Sequence, residues 1–329
     1  MKNTPMRGTS STCRCPTPSF TPATSSWSPA PTATWPDCRR SDPEPPMNPA
    51  TRRMYVSDLD GTLLRPDATL SDYARRELTG LLERGLAFTV ATARGLPGIR
   101  EALGDLPLTL PVIAINGAFI SDYRTGRHHV IRDIAPSLAE EIYRRILRHG
   151  CVPFVSTFDG VRDRLYFNRL ANPGMEWYHN DRRRSGDQRL TCIQDLTHPF
   201  GRDHIVSLSV IGAREQLWPL AEELESELPG QLENHFFENP YSPPWWWLTI
   251  HDRRACKSHA VRTLVEQAGY DYDALVVFGD SLNDVKLFRS APHAVAVANA
   301  TDDVKRYAHE TIGPNEDDSV VRYLVRHHA

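Results

Sequence analysis

The chain has 329 residues, 40% of them hydrophobic and 24% charged, and its formal net charge at pH 7 is −3. This composition is typical of a soluble globular protein of two domains, and the charge gives no basis for binding nucleic acid or an anionic membrane. No run of about 18 apolar residues occurs, so we predict no membrane-spanning helix. Its six cysteines have neither zinc-site nor redox spacing, which favours a reducing, cytoplasmic compartment.

Residues 1–50 differ from the rest of the chain. They are rich in Pro, Ser and Thr, contain no acid before Asp37 and show no apolar periodicity. Such a segment buries too little apolar surface to offset the entropy of ordering it, so we predict a disordered tail. The alternative is a start codon assigned too early, with the true start at Met47 or Met54.

The first apolar run, Met54-Tyr55-Val56, leads into Asp58-Leu59-Asp60-Gly61-Thr62. Two carboxylates two residues apart follow a predicted strand, and the glycine bends the chain directly after them. Both acids are therefore expected at the carboxyl end of the strand, where open α/β sheets bind ligands. Burying them there is costly unless a cation or a substrate uses their charge.

The following segments alternate between helical and strand patterns. They predict a helix over residues 72–84 capped by Ser71, a strand over 87–91 that ends at Thr92, and a strand over 111–115 that ends at Asn116. This order and spacing indicate right-handed parallel βαβ units. Each strand ends in a polar residue or in glycine, so we expect the chemistry at one edge of the sheet.

Between residues 122 and 247 the pattern changes to that of an inserted α+β module with mostly antiparallel strands. It predicts helices over 138–149 and 215–228 and strands over 152–155 and 205–210. We interpret the basic run Arg182–Arg184 as a solvated loop and His128 and His129 as surface residues. The run Trp245–Trp247 indicates either strand packing at the edge of the module or a surface for stacking a substrate.

The α/β pattern resumes at Lys257, which stands at the head of a predicted helix. A strand over residues 274–278 ends in Gly279-Asp280-Ser281-Leu282-Asn283-Asp284, and Ser319 is predicted to begin the last helix. One sheet edge should then hold four acids, a lysine, a threonine and an asparagine: Asp58, Asp60, Asp280, Asp284, Lys257, Thr92 and Asn283.

Acids this close together cannot all stay ionised in a protein interior without a cation. Oxygen ligands with room for water select a hard ion, so we expect Mg²⁺ as the cofactor. A magnesium site with a lysine and a hydroxyl donor suits a phosphoryl group, whose oxygens need several positive or hydrogen-bonding partners. The chain has no glycine-rich Walker loop, which argues against a nucleotide held in that way.

These residues have roles that their chemistry allows. Asp58 can act as the nucleophile, and Asp60 as the general acid that protonates the leaving oxygen and later as the base that activates water. Thr92, the amide after it and Lys257 can hold phosphate oxygens. The predicted metal ligands are Asp58, Asp60, Asp280 and Asp284, and the predicted phosphate-binding residues are Leu59, Gly61, Thr92, Ala93, Lys257 and Asn283.

The chain resembles the haloacid dehalogenase-like superfamily of phosphatases over about residues 53–324. The first motif of that superfamily matches Asp58-x-Asp60-Gly61-Thr62, the second matches Thr92, the third matches Lys257, and the fourth matches Gly279-Asp280-Ser281-x-Asn283-Asp284. Asn116-Gly117-Ala118, the insert and Asn299-Ala300 are similar to the Cof-type subfamily with a class IIB α/β cap. Ala93 stands where the family often has glycine, and Ser258 where it has glycine or alanine.

The resemblance implies a Rossmann-like core, Mg²⁺, a phosphoaspartyl intermediate at Asp58 and a cap that selects the substrate. We predict a core of residues 51–121 and 248–329 and a cap of residues 122–247. The expected function is a magnesium-dependent phosphatase of small phosphorylated metabolites, working as a monomer or homodimer without nucleic acid or membrane partners. The alternatives are a phosphomutase of the same fold and a non-catalytic module that binds phosphorylated metabolites.

Overall fold

The structure, a computed structural model, describes residues 53–239 and 241–328. The tail predicted over residues 1–50 lies outside this part of the chain. Within the described residues, no helix is both long enough and apolar enough to cross a membrane.

The described strands, in chain order, are β1 (Met54–Ser57), β2 (Ala87–Val90), β3 (Val112–Ala114), β4 (Phe119–Ser121), β5 (His128–Ile131), β6 (Pro153–Phe158), β7 (Asp163–Phe167), β8 (Leu190–Cys192), β9 (His204–Gly212), β10 (Leu232–Glu238), β11 (Trp246–Asp252), β12 (Leu275–Gly279), β13 (His293–Ala296) and β14 (Glu310–Thr311). The described α-helices are α1 (Asp72–Glu83), α2 (Leu96–Leu103), α3 (Pro136–Arg148), α4 (Pro173–Arg184), α5 (Arg214–Glu227), α6 (Lys257–Ala268), α7 (Val285–Ser290), α8 (Asp302–Lys305) and α9 (Ser319–His327).

Five strands of the described chain form a parallel sheet in the order β14-β13-β12-β1-β2. Every residue of β1, β2 and β12 is buried, as is usual for a parallel sheet with both faces covered. β1 pairs with β12 on one side and with β2 on the other, so the carboxyl ends of all three strands meet at one edge. The predicted α/β fold class with a parallel-sheet core is confirmed.

The strands β3, β4 and β5 form a smaller antiparallel sheet beside the parallel one, joined to it by a bridge between Ala91 and Ile113. Val130 and Ile131 of β5 pack on the apolar cluster of the core. Residues 122–131 therefore belong with the core, and their assignment to the inserted module was wrong. The polar turn after β4 and the half-exposed residues of β5 gave this hairpin the sequence pattern of an insert.

The strands β6 to β11 form a second sheet in the order β10-β11-β9-β6-β7-β8, antiparallel except between β7 and β8. We call residues 133–252 the cap. One face of its sheet packs against α3 and α5 through an apolar cluster that includes Ile142, Ile146, Leu208, Leu217, Leu224, Leu248 and Ile250. Residues 248–252 lie in β11 and so belong to the cap, not to the core as predicted. The strand runs through Trp246 and Trp247 without a turn, so no local signal marked the boundary.

Two local interpretations inside this region also need correction. The run Arg182–Arg184 is the last turn of α4, a helix that Asn172 caps, rather than a loop. His128 is not a surface residue, because its ring stacks on Phe119 with the centroids 3.9 Å apart. Trp246 and Trp247 lie in β11, which agrees with the interpretation as strand packing, and this strand has a neighbour on both sides in its sheet.

The chain passes between core and cap at two places that lie against α6. At the first crossing, Arg132 is nearly buried and donates to the carbonyl of His259 at 3.2 Å and to the hydroxyl of Thr263 at 2.7 Å. At the second crossing, β11 ends at Asp252 and Lys257 begins α6 five residues later. Both connections are thus fixed to the same core helix.

The predicted cap of α1 generates a stability test. The Ser71 hydroxyl oxygen accepts the N–H of Ala74 at 2.9 Å, and the hydroxyl donates to the Asp318 carboxylate at 2.7 Å. We expect Ser71→Ala to lower the free energy of unfolding by about 1–2 kcal/mol, since both contacts are lost. Urea unfolding measures the change. Ser137→Ala, in the exposed first turn of α3, is the control and should change stability by less than about 0.5 kcal/mol.

Candidate active site

The site is built around Asp58, the residue that follows β1. Its N–H donates to the carbonyl of Phe278 at 3.0 Å, which extends the pairing with β12 by one residue. Its Oδ1 accepts the N–H of Leu59 at 2.7 Å as the chain leaves the strand. The carboxylate is thereby held at the sheet edge, and the residue is only 6% exposed.

Lys257 connects two buried acids. Its Nζ lies 2.9 Å from Asp58 Oδ2 and 2.8 Å from Asp284 Oδ1, and the lysine is 1% exposed. Burial alone would lower the pKa of this lysine, but the carboxylates of Asp284 and Asp58 outweigh it and raise the pKa above its usual value. The ammonium group therefore stays charged and offsets one of the negative charges.

Asp280 and Asp284 complete the acidic group. The hydroxyl of Thr62 donates to Asp280 Oδ1 at 2.7 Å, and Asp284 Oδ2 accepts the N–H groups of Asp280 and Ser281 at 3.1 and 3.2 Å. Each of Asp58, Asp280 and Asp284 offers an oxygen, and these oxygens all lie within 4.8 Å of one another. Three sequence-distant segments thus bring together a lysine and three of the predicted metal ligands.

The charges in this group fit a divalent cation. Burial raises the pKa of the Asp58 carboxyl well above its usual range, with Lys257 opposing the shift and Asp284 and Asp280 adding to it. Burial and the neighbouring Asp284 raise the pKa of Asp280 to about 6. The three carboxylates therefore repel one another in a buried space that one lysine does not neutralise. An all-carboxylate donor set of this kind is suited to Mg²⁺.

Asp60 lies apart from the three clustered acids. Its two oxygens accept from Arg94, Oδ2 from Nε at 2.8 Å and Oδ1 from a terminal nitrogen at 2.5 Å. The hydroxyl of Tyr241, on the turn between β10 and β11, lies 3.5 Å from Asp60 Oδ1. A bidentate ion pair with Arg94 thus holds the Asp60 carboxylate outside the group of three acids, and its predicted part in metal binding stays a prediction.

The predicted phosphate-binding residues surround this edge. The N–H of Ala91 donates to the carbonyl of Ser57 at 2.9 Å, so the residues that follow them, Thr92 and Asp58, lie side by side. The Thr92 hydroxyl oxygen accepts the N–H of Arg94 at 3.2 Å, and Ala93 between them is exposed.

The three other phosphate-binding candidates are placed by local contacts. The N–H of Leu59 donates to Asp58 Oδ1, and Gly61 forms the bend with a φ of +75°. Asn283 donates to the side-chain oxygen of Asn116 at 3.1 Å, which joins the ends of β12 and β3. The Asn283 side chain thus contacts the loop after β3, and its part in phosphate binding stays a prediction.

Three residues that shape the site were not among the predicted site residues. Arg94 is one, although a cation two residues after Thr92 was a readable signal. Asn299, noted only for the family resemblance, donates to the carbonyl of Gly61 at 2.7 Å and accepts the N–H of Asn315 at 2.9 Å, which fixes the bend after Asp58. Tyr241 gave no signal, because nothing local predicts that this turn of the cap reaches Asp60.

Comparisons with known proteins agree with this geometry. The profile of the haloacid dehalogenase-like hydrolases matches residues 55–324. The 5-amino-6-(5-phospho-D-ribitylamino)uracil phosphatase YitU of Bacillus subtilis is 26% identical over 278 residues, covering 82% of this chain and 96% of the relative. The pyridoxal phosphate phosphatase YbhA of Escherichia coli is 27% identical over 285 residues, covering 84% and 99%. The crystal structure of TM0651 from Thermotoga maritima superposes with a TM-score of 0.68 at 27% identity, covering 83% and 97%.

The bend at Gly61 generates a test of the acidic group. A Cβ at this position would collide with the Asp280 carboxylate, whose carbon would be only 2.9 Å away. We therefore expect Gly61→Ala to weaken Mg²⁺ binding at least about 10-fold, measured by titration calorimetry, because Asp280 must shift. Gly269→Ala is the matched control: its φ is +72° with nothing within 4 Å. It should lose stability from the same backbone strain and bind Mg²⁺ normally; equal Mg²⁺ affinities would contradict the prediction.

Proposed function

The chain belongs to the haloacid dehalogenase-like hydrolases and is a phosphoric monoester hydrolase, and we propose that it works as a magnesium-dependent phosphatase through a phosphoaspartyl intermediate at Asp58. The observation that carries the proposal is the group formed by Asp58, Asp280 and Asp284 around Lys257, with Asp60 two residues from the nucleophile. A nucleophilic acid, a cation and a second acid at one sheet edge are what this reaction requires.

Asp58 supplies the attacking oxygen. Its Oδ1 is engaged by the N–H of Leu59, and its Oδ2 lies 2.9 Å from Lys257 Nζ. The lysine charge lowers the repulsion that a carboxylate meets when it approaches a phosphoryl group. Mg²⁺ held by Asp58, Asp280 and Asp284 would neutralise the remaining negative charge of the acids and of the phosphoryl oxygens.

Asp60 performs both proton transfers in this proposal. In the first half-reaction it protonates the leaving oxygen, and in the second it takes a proton from the water that hydrolyses the phosphoaspartate. The Arg94 guanidinium engages both of its oxygens, so Arg94 must release one of them before Asp60 reaches the substrate. Thr92, the amide of Ala93 and the amides near Leu59 and Gly61 are proposed to hold the phosphoryl oxygens.

We propose a small phosphorylated metabolite as the substrate. The similar proteins named above are phosphatases of a phosphoribitylamino-uracil and of pyridoxal phosphate, and the matches cover 96% and 99% of their lengths. The net charge of −3 supports the expectation that neither nucleic acid nor a membrane is a partner. A cytoplasmic monomer or homodimer remains our prediction for the state of the enzyme.

The direct test is Asp58→Asn, assayed as phosphate release from p-nitrophenyl phosphate with Mg²⁺ or with excess chelator. We expect the variant to lose at least about 10³-fold in kcat, because an amide is a poor nucleophile, and the wild type to lose its activity in chelator. Asp105→Asn is the control, since the Asp105 side chain is fully exposed. Activity that survives in Asp58→Asn would rule out the phosphoaspartate. Wild type inert on this substrate and on a panel of phosphorylated metabolites would rule out hydrolysis.

A further inference from the structure

The turn between β10 and β11 brings one residue of the cap to the acid–base group of the core. The Tyr241 hydroxyl lies 3.5 Å from Asp60 Oδ1, and the tyrosine is 49% exposed. A contact of this length is weak as it stands, but catalytic hydrogen bonds are often long in the absence of substrate and shorten when it binds. This contact joins the cap directly to Asp60, the acid–base group of the proposed reaction.

The turn that carries Tyr241 is held from several sides. The Asn239 side-chain oxygen accepts the N–H of Tyr241 at 2.9 Å, and the backbone of Asn239 bonds to Trp245 and Ser242 at 3.0 and 3.1 Å. The Trp245 indole is seated so closely against Gly174, at the start of α4, that a Cβ there would overlap the ring. The tyrosine is therefore presented by a fixed turn of the cap.

Contacts made by the rest of β10 and β11 attach the hairpin that carries this turn to the core. Glu233 of β10 is nearly buried and forms an ion pair with Lys286, two residues beyond Asp284. The other end of β11 leads into Lys257. Glu233 faces His251 in the register of the two strands, so both attachments to the core lie at the end of the hairpin opposite the turn. Tyr241, on the turn itself, lies at the side of Asp60.

Asp60 needs a partner that Arg94 does not provide. A general acid must carry a proton on one oxygen and direct it at the leaving group. The bidentate guanidinium of Arg94 occupies both oxygens, so neither is free to direct a proton at the leaving group. A phenol donates a single hydrogen bond and carries no charge, so it can hold Oδ1 while Oδ2 bears the proton. Burial and the nearby Asp60 raise the pKa of the Tyr241 hydroxyl, so the hydroxyl keeps its own proton for this bond.

We propose that Tyr241 is a positioning residue for Asp60, which holds Oδ1 of the protonated acid so that Oδ2 faces the leaving oxygen when the cap lies over the core. The inference rests on the phosphatase function proposed above. It assigns to the cap a part in proton transfer in addition to substrate selection. In the step concerned, a bond forms between an Asp58 carboxylate oxygen and phosphorus while the P–O bond to the leaving group breaks. Asp60 Oδ2 gives its proton to the leaving oxygen, and Tyr241 keeps its own.

Leaving-group dependence tests this role with Tyr241→Phe, which removes only the hydroxyl. p-Nitrophenolate is a stable anion and leaves with little help from an acid, whereas an alkoxide must be protonated. We expect kcat to fall about 10- to 100-fold for the alkyl phosphate that the wild type cleaves fastest, and less than about 3-fold for p-nitrophenyl phosphate, with KM nearly unchanged. Asp60→Asn should lose activity on both substrates, because the second half-reaction also needs Asp60 as the base.

Tyr307→Phe is the matched control, because Tyr307 is similarly exposed at 41% and packs on Arg289. It should behave as wild type on both substrates, and thermal unfolding should show all variants folded. Equal losses by Tyr241→Phe on the two substrates would assign Tyr241 a structural role in the turn and overturn the proposal, as would no loss on either. Wild type that releases phosphate from neither substrate would instead refute the phosphatase function itself.

Discussion

Electrostatic repulsion among three clustered carboxylates, two of them buried, is the constraint on which the rest of the site depends. Asp58, Asp280 and Asp284 share one side of the sheet edge with a single buried lysine, which leaves two negative charges without a partner in the protein. Such a group is tolerated only where each acid is also fixed by hydrogen bonds. The N–H groups and the hydroxyl that bond to these acids provide that fixation. A divalent cation bound to these oxygens would relieve the repulsion among them.

The parallel sheet explains why residues so far apart in the sequence converge. Each of β1, β2 and β12 ends at the same edge, so the residue after each strand is delivered without a dedicated loop. Lys257 arrives differently, at the start of the helix that follows the cap. The bend that presents Asp58 is in turn held by Asn299, so even the C-terminal third of the chain supports the nucleophile.

Much of this arrangement could be predicted from sequence, because the residues that mark each strand end are adjacent in the chain and a parallel sheet brings its strand ends together. An acid after a buried apolar run predicts a strand-end carboxylate, and the parallel order then brings Asp58, Asp280 and Thr92 together. What was not predicted depended on long-range partners. The Arg94 ion pair holds Asp60 outside the group of three acids, β11 continued past the tryptophans, and Tyr241 reached the core only because a hairpin of the cap is folded above it. None of these is encoded by residues adjacent in the chain.

The two crossings between core and cap bear on how such proteins could exchange caps by recombination. Arg132 and Lys257 lie within a few residues of the two junctions, and both are anchored in or against α6. A graft cut inside β5 or α6 would sever one of these contacts. The exchangeable unit therefore begins after Arg132 and ends before Lys257, and any replacement must return the chain at the spacing that α6 requires. Helix α6 is therefore the fixed attachment point for any cap that replaces this one.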